Sequence, residues 1–425
     1  MTWLLIILLF LLLFLGVPVA FAISGATIII VYFFTDIPME VTAQRMFASL
    51  NSFPLLAIPL FILAGKLMEN GGISKRLIDL ATAFVGHTAG GYAAVAVLAS
   101  MFFGALSGSS AATVAAIGAI LIPAMIQKGY KPRFAAGTLA VSGELSAIIP
   151  PSIPMILYGV VTGTSIGSLF IAGILPGIML GLSLILFVFV VSKIKGYGGD
   201  IEKTTWRVKF KAIYNSFFAI LMPFIILGGI YGGYFTPTEA AAIAVVYALI
   251  IGLFVYRELE FKSLIKVFGE SAITTSVIMV IISAAGVFSW FLTRNMVPQK
   301  AATFITEFTE SPIVFLLMVN LLLLIVGMFF EASAAILILA PIFLPIAVLF
   351  GIDPIHFGMI MIVNLAIGMV TPPVGVNLFI SCKIANLSLE EVTKGVLPFL
   401  VLLIINLLII SFVPSLSTWL PGLTK

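Results

Sequence analysis

The chain alternates long apolar runs with short polar punctuation, and a bilayer crossing takes about twenty apolar residues. Runs near 3–33, 50–67, 168–192, 216–235, 238–256, 268–293 and 392–413 predict membrane-spanning helices. Two further stretches, 91–127 and 312–350, are apolar but interrupted mid-run, and each is followed by a segment broken by paired prolines. Pro123 and Pro345, Gly129 and Gly351, Pro132 and Pro354, Pro150-Pro151 and Pro372-Pro373, Gly173 and Gly395, and Pro176 and Pro398 all stand 222 residues apart. One offset held over more than fifty residues predicts two similar units, broken at corresponding places.

Composition sets the solvent. With 62% apolar and 9% charged residues, the chain lies far from the roughly 25% charge of a soluble domain, and it reads as an all-α polytopic membrane protein. The opening stretch Met1 to Phe34 is too long for a signal peptide's apolar region and lacks a basic start, so it predicts the first transmembrane helix. A single Cys382 excludes a disulfide framework, and His87 and His356 are too far apart in sequence to suggest a metal motif. The net charge of +4 belongs to loops rather than to a nucleic-acid surface, because Lys and Arg cluster between apolar runs.

Those clusters also set orientation. Lys66 to Arg76, Lys193 to Lys211 and Arg257 to Lys266 are basic and are expected in the cytoplasm. The turn Thr236-Pro237-Thr238-Glu239 then faces the other side, with Glu239 as a helix N-terminal carboxylate and Thr238 as its cap. Within the repeat, Lys128-Gly129-Tyr130-Lys131-Pro132-Arg133 matches Phe350-Gly351-Ile352-Asp353-Pro354-Ile355. Three cations opposite one anion predict that the units are inverted, a pattern of secondary transporters. The alternative is a parallel repeat with an ordinary charge fluctuation.

The interruptions carry the candidate chemistry. Unit one breaks at Ser107-Gly108-Ser109-Ser110-Ala111-Ala112-Thr113 and unit two at Glu331-Ala332-Ser333-Ala334-Ala335, which predicts two re-entrant hairpins. Non-helical backbone at that depth must be buried in protein or line a wet cavity. A break frees carbonyls that suit a hard cation and amides that suit an anion. The paired prolines predict unwound helices over 133–162 and 355–386, because each removes an amide and pushes its predecessor out of helix. Carbonyls of residues 146–149 and 368–371, with the Ser152 and Thr371 hydroxyls, could complete cation sites behind the tips. Two candidate Na⁺ sites result: Ser107, Gly108, Ser109, Ser110, Gly143, Ser146 and Pro150, and Ala332, Ser333, Gly368, Val370, Thr371 and Gly375. Ser107, Ser109, Ser152 and Glu331 are the candidate substrate contacts. Other roles compete: serines also pack helices closely, and prolines also kink spans for structural reasons. An acid in a bilayer is functional by default. Glu331 could ligate a cation, bind a polar substrate group or carry a proton; Glu144 either shares that work or bonds to a neighbouring helix.

With these residues in hand, the chain resembles the large membrane subunit of tripartite ATP-independent periplasmic (TRAP) transporters. The resemblance rests on Asn51-Ser52-Phe53-Pro54 through Pro59, Ala64-Gly65, Asn70-Gly71-Gly72, the Ser107-Gly108-Ser109 tip, Ile149-Pro150-Pro151-Ser152-Ile153-Pro154, Phe235 to Ala240 and Thr371-Pro372-Pro373-Val374-Gly375. It implies an elevator-type fold similar to the ion transporter superfamily, in the bacterial inner membrane. Residues 1–90 and 193–311 would be scaffold, with amphipathic arms at Asn70 to His87 and Arg294 to Glu310; 91–192 and 312–425 would be the moving domain, including helices 168–192 and 392–413. It also implies Na⁺ as coupling ion, an organic acid anion such as a C4-dicarboxylate or sialic acid as cargo, a periplasmic substrate-binding protein (P type), a separate four-helix membrane subunit (Q type), and contact with membrane lipid. Ser107, Ser109 and Glu331 carry over as functional side chains. Many relatives have Asp where this chain has Thr113, and Asp is commoner than Glu at position 331. No nucleophile–base pair points to an enzyme, and no ring of charge points to a channel. The alternative to the TRAP assignment is a single-component Na⁺-coupled anion symporter.

Overall fold

A bilayer leaves no partner for open backbone groups, so apolar runs fold as helices. The computed structural model describes residues 2–197 and 205–423, and those residues form helices and connecting turns with no strand among them. Residues 198–204 of the basic stretch Lys193 to Lys211 lie outside the described part. Among the described residues, nine helices are long and apolar enough to cross a membrane, or ten if the pair Pro132–Ile148 and Ile153–Thr162, bent by 40°, is one broken span.

The first apolar run is not one helix. It divides into Thr2–Phe14 and Val19–Phe34 at Gly16, whose φ of +80° is a left-handed conformation, and at Pro18, which has no amide to donate. The two pieces pack on each other: Leu5 and Leu9 join Ala22, Ile23 and Ala26 in one buried cluster, closed by Phe288 and Phe291 of Phe261–Arg294. The two amphipathic stretches fold as the helices Ile73–Val85 and Val297–Phe308. The first packs on Trp206–Tyr231 and the second on Ala332–Leu349. Two short helices, Met39–Ala48 and Ser415–Leu423, were not expected.

The repeat is visible element by element. Hairpin one is Gly91–Ser107 with Ser110–Gln127; hairpin two is Pro312–Phe329 with Ala332–Leu349. Broken helix one runs Pro132–Gly143, Leu145–Ile148 and Ile153–Thr162, and broken helix two runs Pro354–Gly368 and Val376–Ala385. Pro150-Pro151 and Pro372-Pro373 are cis in both. The closing helices are Ile166–Lys195 and Leu389–Phe412. The units also interlock. Ser110–Gln127 packs on Val376–Ala385 of the other unit, and Ala332–Leu349 packs reciprocally on Ile153–Thr162. Each hairpin therefore braces the far half of its counterpart's broken helix, and both tips arrive in one place.

The turn that joins Trp206–Tyr231 to Pro237–Ile250 corrects one expectation. Its cap is Thr236, not Thr238: the Thr236 hydroxyl accepts from the Glu239 amide at 3.3 Å, and the Glu239 carboxylate accepts from the Thr236 amide at 2.8 Å. This reciprocal pair is a capping box. Thr238 lies inside the helix.

Candidate functional site

The hairpin breaks are shorter than the sequence predicts. Tip one is only Gly108, at φ +60°, and Ser109, in extended conformation. Ser107 ends one helix, and Ala111, Ala112 and Thr113 belong to the next. Tip two is Phe330 and Glu331, with Ala332 and Ser333 already helical. Alanine is the strongest helix former, which extends the helices into the expected breaks, and burial holds the weaker formers Ser107, Thr113 and Ser333 in them.

Tip one is built around Thr113, which is fully buried. Its hydroxyl donates to the Ser109 carbonyl at 2.9 Å. With that proton committed, Thr113 accepts from Ser146 at 2.7 Å and from Ser107 at 3.1 Å. One threonine thus ties both limbs of hairpin one to broken helix one. The Ser109 hydroxyl caps Ser110–Gln127 by accepting from the Ala112 amide at 3.4 Å. The Gly108 carbonyl accepts from the Ile153 amide at 3.4 Å, which docks the second half of the broken helix onto the tip.

Tip two is capped by a charge. The Glu331 carboxylate accepts from the Ser333 amide and from the Ser333 hydroxyl, each at 2.9 Å. Glu331 is exposed, and it opens into the same cavity as tip one. Behind it, the Gly375 amide donates to Met328 O at 3.0 Å and the Asn377 amide to Met369 O at 3.2 Å.

The shared cavity holds about 110 Å³. Ser107, Gly108, Ser109, Ser110, Glu331, Ala332 and Ser333 reach its wall. Ser152 does not: it is 1% exposed, and its hydroxyl donates to Ala147 O at 2.6 Å, so the structure removes it from the substrate contacts. Gly143, Ser146 and Pro150 stand behind tip one, and Gly368, Val370, Thr371 and Gly375 behind tip two. The Thr371 hydroxyl donates to Ile367 O at 2.7 Å, leaving its oxygen as an acceptor.

Three side chains escaped the sequence reasoning. Lys66 and Glu69 of Ala57–Asn70 line the cavity opposite the tips, with Lys66 Nζ 3.2 Å from Glu69 and 3.7 Å from Glu270. A Lys and a Glu three apart in an apolar run were a visible signal. The third is Asn377, whose amide donates to Glu144 and, at 3.2 Å, to the Ser110 hydroxyl. Glu144 lies behind tip one, 1% exposed, and does not reach the cavity.

The charges divide the cavity. Both tips present the positive end of a helix, but Glu331 neutralises its own, whereas the cap at tip one, Ser109, carries no charge. Tip two therefore presents a carboxylate where tip one presents a hydroxyl. Among the described residues no group of three or more His, Cys, Asp or Glu could hold a transition metal.

Residues 6–416 match the family model described as "Tripartite ATP-independent periplasmic transporter, DctM component". The C4-dicarboxylate TRAP transporter large permease protein DctM of Pseudomonas aeruginosa is 46% identical over 399 residues, covering 94% of this chain and 93% of that one. The sialic acid TRAP transporter large permease protein SiaM of Vibrio cholerae is 38% identical over 412 residues, covering 97% and 96%. The isethionate TRAP transporter permease protein DctMQ of Oleidesulfovibrio alaskensis is 45% identical over 407 residues, which are 96% of this chain but span only 64% of that protein. Among solved structures, the YdaH transporter of Alcanivorax borkumensis superposes with a TM-score of 0.64 at 16% identity, over 90% of this chain and 88% of that one, and shares the fold. A match that runs nearly end to end, with relatives well above a third identical, makes this multi-pass protein of the bacterial inner membrane a member of the DctM-component family of tripartite ATP-independent periplasmic transporters.

Proposed function

We propose that the chain is the transport subunit of a Na⁺-driven, binding-protein-dependent importer of a small organic acid anion. The observation that carries this is the meeting of both hairpin tips and both broken helices at one cavity, with a neutral helix N-terminus at one tip and a carboxylate at the other. The anion sits at the amide end of Ser110–Gln127, with the Ser109 hydroxyl and the Ser107 oxygen beside it. Na⁺ sits behind each tip, on the two ligand sets named from the sequence. Relatives named for C4-dicarboxylates, sialic acid and isethionate share the chemistry of a small organic anion.

Units 91–192 and 312–425 move together as an elevator against residues 1–90 and 193–311. The reciprocal packing of hairpins on broken helices supports a single moving body. A four-helix Q-type subunit joins the scaffold, and a P-type periplasmic protein delivers the anion.

The test is uptake into proteoliposomes containing the chain and its partner subunit, with succinate, isethionate and N-acetylneuraminate as labelled cargo. The expected result is uptake that needs both an inward Na⁺ gradient and the binding protein. Uptake of free anion without that protein would overturn the assignment in favour of a single-component symporter.

A further inference from the structure

Glu144 is a carboxylate with no visible counter-charge. It is 1% exposed, and among the described residues no Lys, Arg or His pairs with it. One oxygen accepts from Asn377; the other, Oε2, has no partner. Asn377 is fully buried, and its own Oδ1 is unpartnered too. Two orphan oxygens on adjoining groups are costly unless something fills the gap.

The place is also one-sided. Glu144 and Ser110 come from unit one and Asn377 from unit two, so the cluster bridges the units. At the 222-residue offset their counterparts are Ala366, Ala332 and Met155, which cannot do the same. Any ligand held here is held once per chain, unlike the paired sites behind the tips.

We propose that Glu144, Asn377 and Ser110 form a further Na⁺ site at the joint between the units, adjoining the set behind tip one and sharing Ser110 with it. Half a turn of the Asn377 amide exchanges its nitrogen and oxygen. The amide then offers an oxygen to the space between Glu144 and Ser110, where its nitrogen now donates to both. Glu144 supplies the charge and its free Oε2 a further oxygen, a hard set that suits a hard cation. Ser110 also lies on the cavity wall, which gives the ion its route. Without the ion, Asn377 donates to Glu144; with it, the same amide becomes a ligand, and both units close on one charge.

This rests on the Na⁺-coupled reading above, and the test separates the two. Purified protein is melted in NaCl and in choline chloride, and the reconstituted transporter is titrated with Na⁺, for the wild type, Glu144→Gln and Ser107→Ala. Glu144→Gln keeps the shape and a hydrogen bond to Asn377, so its melting in choline should match the wild type. Its Na⁺ half-saturation should rise at least tenfold and its Na⁺ cooperativity should fall. A Na⁺ titration that superimposes on the wild type overturns the site. So does an unchanged Na⁺ dependence with a flattened pH profile, because the occupant is then a proton. If Ser107→Ala weakens Na⁺ dependence and Glu144→Gln does not, only this inference fails; if Na⁺ neither stabilises nor drives the wild type, the coupling reading fails with it. Should Glu144→Gln misfold, the double variant Glu144→Ala, Asn377→Met, which copies the apolar counterparts, gives the same readout.

Discussion

Gly327→Ala should loosen the second hairpin from the broken helix behind it. A methyl group on Gly327 would lie 2.9 Å from the Gly368 Cα and 3.1 Å from the Leu365 carbonyl oxygen. Carbon atoms pack at about 3.5–4.0 Å, and both obstacles are backbone that cannot swing aside, so the helices must part by about 0.6–1 Å. Overpacking of this kind costs about 1–3 kcal/mol. Alanine returns about 1 kcal/mol of helix propensity, which leaves a net loss of about 0–2 kcal/mol. Gly368 is the last helical residue before the break that holds Val370 and Thr371, so the displacement falls on proposed cation ligands. A loss of 1 kcal/mol there corresponds to about a fivefold rise in Na⁺ half-saturation. Thermal melting of purified protein reads the stability, and Na⁺-titrated uptake reads the site. The control is Gly269→Ala on Phe261–Arg294, where a methyl meets nothing within 4 Å; it should stabilise by about 1 kcal/mol. The reasoning is refuted if Gly327→Ala melts and titrates like this control.

Glu331→Ala should abolish Na⁺-driven uptake and, by removing a helix cap, lower stability by about 0.5–2 kcal/mol; Glu331→Asp, still a capping carboxylate, should retain part of both, and near-normal uptake by the alanine variant would mean that Glu331 only caps. Thr236→Ala should cost about 0.5–2 kcal/mol in melting experiments by breaking the capping box, whereas Thr238→Val, which loses only a 3.5 Å contact to Phe53 O, should cost less. Arg76 lies 3.6 Å from the centre of the Tyr256 ring, 2.8 Å from Glu258 and 2.9 Å from Gly72 O. Arg76→Ala should destabilise the first arm by about 1–3 kcal/mol. Arg76→Lys, which cannot stack and fork in the same way, should restore less than half of that by the same assay.

What the sequence showed best was backbone punctuation. Proline lacks an amide wherever it sits, so Pro150-Pro151 and Pro372-Pro373 announced both broken helices without tertiary information. The tips were placed within a few residues, but their length was not, because packing decides whether Ser107 or Thr113 stays helical. The break at Gly16 to Pro18 was hidden by its surroundings: with apolar residues on both sides, one long run and two stacked short helices look alike. The Thr236 cap was available, since Thr and Glu three apart form the capping-box pattern. The pairing of Glu144 with Asn377 was not, because 233 residues separate them and only the interlocking of the units brings them together.

The difference between the tips gives the cavity a direction. A repeat alone would build two equal tips, each with a free helix N-terminus, and an anion could then bind at either. In this chain Glu331 fills the second N-terminus with its own carboxylate, and Ser333 holds both oxygens in place. An anion at tip two would meet that charge at short range, so it is driven toward Ser109 and the amides of Ser110–Gln127. With Glu69 and Glu331 against Lys66, the cavity wall carries more negative than positive charge. For the proposed anionic cargo, binding would therefore gain most after cations have bound. Under the proposed function that order would make tight anion binding depend on Na⁺, which is the thermodynamic content of coupling, and it would arise from a single acidic residue where the first unit has Ser109.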